Sequence, residues 1–314
     1  MNKYTQILSQ HSELSERVDK STKKIHDIRD ELDKSLDGSN EKISVCLCGS
    51  LGRKEIGEHS DMDIFLFSKE NIEYLPTIKL LSQIIEVNKT LEYKELSNDG
   101  EFLKIYSSDE MAKKLGSPKD DNENLFTARM LMLLESQCVW NCELFKKIQS
   151  QILEIYFRNH AEQNNFKPLF LLNDILRFWR TICLNYEAHR EDKNTTNESG
   201  GKKNLNLRFS RKLTVFSTIL PMIAKPITSI EEMQKLIEMT PLKRFSTGLD
   251  YLSDDHLQKD FDRFLNDYEY YLNHKETDSK YKDIKKRAKY FSNFIFKALS
   301  HKSIDEDYKK YLII

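Results

Sequence analysis

No stretch of the 314-residue chain holds 18 or more consecutive apolar residues, so it offers no candidate for a membrane-spanning helix. Met1 to Glu13 is polar and lacks the apolar centre of a signal peptide, which makes the cytoplasm the expected location and a membrane partner unexpected. Cysteine is scarce. Of the five, Cys46 and Cys48 alternate along a β-like run and read as small core residues. Cys138 and Cys142 have helical spacing for a metal or a disulfide but lack companions, so neither role is expected of them. Net charge is missing too: 49 basic residues against 50 acidic ones give −1, which provides no global attraction to nucleic acid or membrane. No internal repeat is present. Locally the balance fails, because from Ser199 to Ile230 there is no acid while Lys202, Lys203, Arg208, Arg211, Lys212 and Lys225 supply six positive charges.

What the chain does contain is the apolar run Val45-Cys46-Leu47-Cys48 ending in Gly49-Ser50. Ten residues later come Asp61-Met62-Asp63 and a second apolar run, Ile64-Phe65-Leu66-Phe67. Side chains two apart on a strand point the same way, so Asp61 and Asp63 present two carboxylates on one face. Like charges held that close call for a cation. Hard divalent ions such as Mg²⁺ or Mn²⁺ take oxygen ligands and share them with substrate phosphates. The Gly-Ser turn suits the phosphates. Gly49 permits close backbone approach, and Ser50 precedes a short helix expected over Leu51 to Ile56, whose free N–H groups would face an anion. Taken singly, a Gly-Ser turn and an Asp-x-Asp pair are ordinary surface features; together, between two apolar runs, they describe a metal-dependent nucleoside triphosphate site.

This signature resembles that of the DNA polymerase β-like nucleotidyltransferases, in which Gly-Ser is followed after about ten residues by Asp-x-Asp. The string Gly49-Ser50-Leu51-Gly52-Arg53-Lys54-Glu55 with Ser60-Asp61-Met62-Asp63 is most similar to the uridylyltransferase-like branch. The likeness is specific over residues 43 to 67 and diffuse beyond them. It implies an α+β fold: a small mixed sheet with flanking helices, followed by an all-helical C-terminal domain. It also implies a third carboxylate on a strand beside the Asp-x-Asp strand, for which Glu101 is the leading candidate and Asp99 the second. In the implied chemistry Asp61, Asp63 and Glu101 are catalytic and hold two metal ions, Glu101 sharing in removal of the acceptor proton. Gly49 and Ser50 hold the β- and γ-phosphates, and Arg53 or Lys54 neutralises them.

Pattern places the remaining elements. Residues 3–37 read as one or two helices packing on the catalytic sheet, Ile43 to Cys48 as the first strand and Met62 to Phe67 as the second. Ile78 to Lys89 reads as a helix and Glu101 to Tyr106 as a strand, followed by a polar loop from Gly116 to Glu123. A helix over Leu125 to Glu135, a strand at Cys138 to Trp140 and a helix from Glu143 resemble the close of the nucleotidyltransferase domain. The expected division is therefore residues 1–156 and 157–314. In the second part, Arg177 and Arg180 lie on one helix face, and Arg208, Arg211 and Lys212 on another with Phe209, Leu213 and Phe216 buried. These basic residues are candidates for a second, phosphate-binding wall closing the cleft. The tyrosines Tyr268, Tyr270 and Tyr271 read as packing residues rather than a base-stacking platform.

The leading expectation is an enzyme moving a nucleoside monophosphate from an NTP to a hydroxyl of a protein or RNA, with release of pyrophosphate. Synthesis of a nucleotide second messenger, or nucleotide sensing without catalysis, are the alternatives. The sequence leaves the base, the acceptor and the oligomeric state open.

Overall fold

A computed structural model describes residues 3–36, 41–58, 60–93, 100, 102–158, 166–191, 204–275 and 277–313. Two helices lead the chain, α1 (Lys3–Gln10) and α2 (Ser12–Ser35). The sheet is made of β1 (Ile43–Leu47), β2 (Ile64–Ser68), β3 (Ile105–Ser107) and β4 (Gln137–Trp140), in the order β3-β2-β1-β4. β1 is antiparallel to both β2 and β4, with Cys46 opposite Phe65 on one side and Cys138 on the other, while β3 runs parallel to β2. The sheet is thus mixed, as the α+β expectation requires.

Strand alternation sorts the side chains into two faces. Ile43, Val45, Leu47, Ile64 and Leu66 join Ile25, Ile28 and Leu32 of α2 in one aliphatic cluster. Leu80, Ile84 and Val87 of α4 (Tyr74–Thr90) complete it. The opposite face is aromatic: the Phe65 ring lies 6.3 Å from that of Phe67 and 5.8 Å from that of Tyr106, and Phe67 meets Phe145 at 5.9 Å. Because both faces are covered, every residue of β1 and β2 is buried, which explains two runs that read as continuously apolar. Burial pushes the Cys46 thiol well above its ordinary range and makes it the inert core residue that its alternation suggested.

Between β3 and β4 lie α5 (Ser108–Lys114), α6 (Pro118–Asn122) and α7 (Leu125–Leu134), and α8 (Cys142–Tyr156) follows β4. The stretch expected as a polar loop is partly helical. Asp120 of α6 is fully buried because Arg129 of α7, also fully buried, grips both its carboxylate oxygens at 2.9 and 2.8 Å. Cys138 and Cys142 are joined in a disulfide, contrary to the expectation that the pair has no redox role. The β4–α8 corner brings their Cα atoms to 5.6 Å, within the usual range for a disulfide.

The chain divides into two compact units: Glu16–Ala161 with Ser229–Thr240, and Met1–Ser15 with Glu162–Thr228 and Pro241–Ile314. The expected boundary at Tyr156 lies close to the first division, but two segments are exchanged relative to the expected domains. α1 belongs to the helical unit, where the Tyr4 N–H and the Thr5 hydroxyl donate to Asp250 at 2.8 and 2.9 Å. The late helix Ile230–Ile237 belongs to the sheet unit, with Gln234 donating to the Lys146 carbonyl of α8 at 3.3 Å.

The helical unit contains α9 (Leu169–Glu191), a π-helical segment over Leu207–Arg211, and the helices Lys212–Ala224, Pro241–Leu252, Gln258–His274, Tyr281–Leu299 and Glu306–Ile313. Its centre is aromatic. Phe209 stacks on Tyr271 at 4.4 Å and Phe264 on Phe291 at 4.2 Å. Tyr268 and Tyr271 are buried there with their hydroxyls engaged by Ser210, which makes them packing residues.

Candidate active site

The site forms where β1 ends and β2 begins. Beyond Leu47 the Cys48 N–H still donates to the Asp63 carbonyl at 2.8 Å, so the pairing runs past both strands and ties the Gly-Ser turn to the Asp-x-Asp segment. Gly49 adopts φ +63°, and a Cβ at this position would lie 2.0 Å from Asp63 Oδ2. Glycine is demanded twice, by the left-handed backbone and by the carboxylate against it. α3 (Gly49–Gly52) is a single turn. At its end a Cβ on Gly52 would lie 1.9 Å from the Glu135 carbonyl, so the backbone of α3 rests directly on the chain entering β4. The helix expected over Leu51 to Ile56 therefore starts and stops earlier. Lys54 takes φ 57°, and the N–H groups of Lys54 and Glu55 fold back onto the carbonyls of Leu51 and Ser50 at 3.0 and 2.8 Å.

Asp61 is exposed, Met62 is 2 % exposed and Asp63 is partly buried. Met62 joins the aliphatic cluster, while Asp63 turns its carboxylate against Gly49 and Asp61 is open to solvent. Regular strand structure begins at Ile64 rather than Met62. The approach to it is set by a turn in which the Gly57 N–H donates to Ser60 Oγ at 2.9 Å. Neither Asp61 nor the Ser50 hydroxyl has a side-chain partner among the described residues. Two carboxylates one residue apart, with Gly49 against the inner one, fit a hard divalent cation shared with phosphate. Among the described residues no three acidic, histidine or cysteine side chains are gathered as a ready-made metal cage, and both candidates for the third carboxylate, Glu101 and Asp99, lie outside those residues.

Arg53 corrects the expected phosphate role. It is 8 % exposed, donating through Nε to Glu55 Oε2 at 2.9 Å and through NH1 to Glu135 Oε2 at 2.8 Å. Glu135 Oε1 also accepts the Gly49 N–H at 3.3 Å, so that backbone donor, expected to face phosphate, is already engaged. Glu135 and Glu55 are thus structural partners of the turn that sequence reasoning missed. Glu135 stands 82 residues from Arg53, and no local pattern announces the pair. Lys54 is partly exposed on the neighbouring left-handed residue.

The strand expected over Glu101 to Tyr106 covers Ile105–Ser107. Gly100 at φ +72° opens a turn closed by the Leu103 N–H on the Gly100 carbonyl at 2.8 Å, which uses backbone that a longer strand would need. On β3, Tyr106 shares the aromatic face with Phe65 and Phe67, and Ile105 packs on the aliphatic side. Glu101 itself lies outside the described residues.

In the helical unit, Arg177 approaches Asp174 at 3.8 Å and Arg180 is exposed on α9. Arg208 donates to Asn204 at 2.6 Å. The Lys212 ammonium donates to Ser292 Oγ at 2.7 Å and stands 5.7 Å from the ring centre of Trp179. Burial first, then the nearby Arg208 charge, lower the Lys212 pKa from its ordinary value. Arg208 and Arg211 fall on the π-helical segment, which widens the turn relative to the regular helix expected there. Phe216 is only partly buried, edge-on to Trp179 at 5.5 Å. Lys202 and Lys203 lie outside the described residues.

Residues 22–110 match the family model of the nucleotidyltransferase domain, a span that takes in the second half of α2, the Gly-Ser turn, the aspartate pair and β3. Over this span the chain carries a nucleotidyltransferase domain of the polymerase β-like superfamily, which supports a nucleotidyltransferase enzyme. The match does not separate the uridylyltransferase-like branch from others. No curated protein and no solved structure matches the chain. None of its described helices is long and apolar enough to cross a membrane.

Proposed function

We propose that the protein transfers a nucleoside monophosphate from an NTP, ATP among the candidates, to a hydroxyl of a protein side chain or an RNA in the cytoplasm. The acceptor oxygen bonds to the α-phosphorus as the bond to the β-phosphate oxygen breaks, and pyrophosphate departs. The observation that carries this reading is the junction of the Gly49–Ser50 turn with Asp63, hydrogen-bonded through Cys48 and packed so closely that Gly49 admits no side chain.

Asp61 and Asp63 would hold Mg²⁺ or Mn²⁺, and Glu101 is the proposed third ligand. When bound, the metal supplies charge neutralisation on the phosphoryl oxygens. Ser50, the residue of α3 that is not buried, offers its hydroxyl and its backbone N–H to phosphate oxygens. Because α3 is a single turn, this binding rests on individual hydrogen bonds rather than on an extended helix dipole. Arg53 acts from behind by holding the turn, and Lys54 is the nearer cation for the departing pyrophosphate. Arg177, Arg180, Arg208, Arg211 and Lys212 are proposed as the phosphate-binding surface of the helical unit.

The test is incubation with each labelled NTP and Mg²⁺, followed by separation of protein, RNA and small-molecule fractions. Label in protein or RNA is the expected result. A new small nucleotide would instead establish messenger synthesis, and tight binding without turnover would establish a sensor.

A further inference from the structure

The helix Tyr281–Leu299 of the helical unit begins with an excess of positive charge that the proposed site does not use. From Lys280 to Lys289 there are six cations, Lys280, Lys282, Lys285, Lys286, Arg287 and Lys289, against the single acid Asp283. Lys282, Lys285, Lys286 and Lys289 are exposed, and none has an ion pair among the described residues. The acids of the neighbouring helix Gln258–His274 are already engaged: Asp267 by Arg287, Asp260 by Lys297 at 2.6 Å, and Asp262 and Glu269 by His11 at 3.1 and 3.2 Å. Asp283 alone is left against four lysines. Along the later helix Lys282, Lys286, Tyr290, Asn293 and Lys297 recur every three or four residues and so share one side. Aromatic rings interleave with these cations. The Arg263 guanidinium stands 3.6 Å from the ring centre of Tyr290, which is 44 % exposed, and that of Arg287 stands 4.1 Å from Tyr270. Tyr270 also stacks on His274 at 4.3 Å and, unlike Tyr268 and Tyr271, is only partly buried. Between the two helices lies a groove of about 220 Å³, smaller than a drug-sized site, lined by Arg263, Tyr290 and Asn293 over the buried Phe264 and Phe294. The groove's two carboxylates, Asp260 and Asp267, are the ion-paired ones.

We propose that this side of the helical unit binds a single-stranded RNA, its phosphates on Lys282, Lys286 and Lys289 and a base laid on Tyr290 at the groove. An acidic peptide would meet the lysines but leave the exposed ring unused, whereas a nucleic acid strand uses both. An anionic membrane would need apolar side chains to insert among the lysines, and the exposed positions between Lys282 and Lys289 are all charged. Stacking on an aromatic ring accepts any base, so the surface selects a single strand rather than a sequence. The choice of RNA over DNA rests on the RNA acceptor of the proposed function; the binding itself needs neither NTP nor metal.

The experiment measures fluorescence anisotropy of a labelled single-stranded RNA of about 20 nucleotides with the full chain, in chelator and without NTP. Binding that weakens as salt rises is expected. Lys282→Glu combined with Lys286→Glu is expected to weaken it about tenfold or more. Tyr290→Ala is expected to weaken it about fivefold while heparin, a polyanion without bases, stays bound as before. Circular dichroism melts of both variants should match the parent, since the substituted residues are exposed. Unchanged RNA affinity in the lysine variant, or equal losses for RNA and heparin in Tyr290→Ala, overturns the proposal. Tighter binding of a DNA strand of the same sequence, or of anionic phospholipid vesicles, overturns it as well. With NTP and metal absent, a protein that binds RNA here yet transfers nothing would overturn the proposed transfer and leave this surface standing.

Discussion

Gly49 is the residue on which the geometry is least forgiving. Alanine there would have to hold a left-handed backbone, a cost of about 1–2 kcal/mol, and would also push Asp63 aside, since its Cβ would fall 2.0 Å from the carboxylate. Gly49→Ala is therefore expected to lower the denaturant midpoint and to abolish transfer; unchanged turnover would show that Asp63 is not needed where it stands. Asp61→Asn and Asp63→Asn should behave differently. Each removes a carboxylate charge from a side chain that the core does not bury, so circular dichroism melts should be unaltered while transfer falls by roughly a hundredfold or more. Both mutants retaining substantial activity would remove these residues from the mechanism.

At the scale of the element, the single turn α3 is held by a cluster that its own sequence does not contain. Arg53→Ala would leave Glu55 and Glu135 buried without their shared cation, a loss of about 3–5 kcal/mol measurable by urea denaturation. A neutral effect would mean that the ion pairs do not hold the turn. Lys212→Met makes a contrasting case. Its pKa is lowered in the folded state, chiefly by burial, so removing the charge should leave the melting temperature of the free protein equal or higher. NTP affinity by calorimetric titration is expected to fall about tenfold, or about 1.4 kcal/mol. Unaltered affinity would reduce this face to packing. These two cations also mark what was legible in the chain. The junction of the Gly49–Ser50 turn with Asp63 was legible because the turn and the strand pair are built from contacts within some fifteen residues. The Arg53–Glu135 pair, the Asp120–Arg129 pair and the brevity of β3 were not, since each is decided by a partner or a turn that leaves no periodic trace.

For the whole molecule, excess chelator is expected to stop transfer and added Mg²⁺ or Mn²⁺ to restore it; a rate indifferent to chelation would contradict the carboxylate assignment. The α+β character and the helical second half were readable from pattern, because each element's apolar period is a local property. The exchange of segments between the two units was not, because α1 and the helix Ile230–Ile237 have amphipathic patterns that fit either partner. That exchange sets an order of assembly. On a growing chain the aspartate pair is present early, yet the flank of α8 covered by Met233, Leu236 and Ile237 stays bare until residue 240 has been added. The first helix made must wait longer still, since its anchor is Asp250. Neither unit can close in the order in which it is synthesised. The half-made protein therefore displays apolar surface that invites chaperones or wrong partners, and the sheet unit closes only after residue 240 has been added.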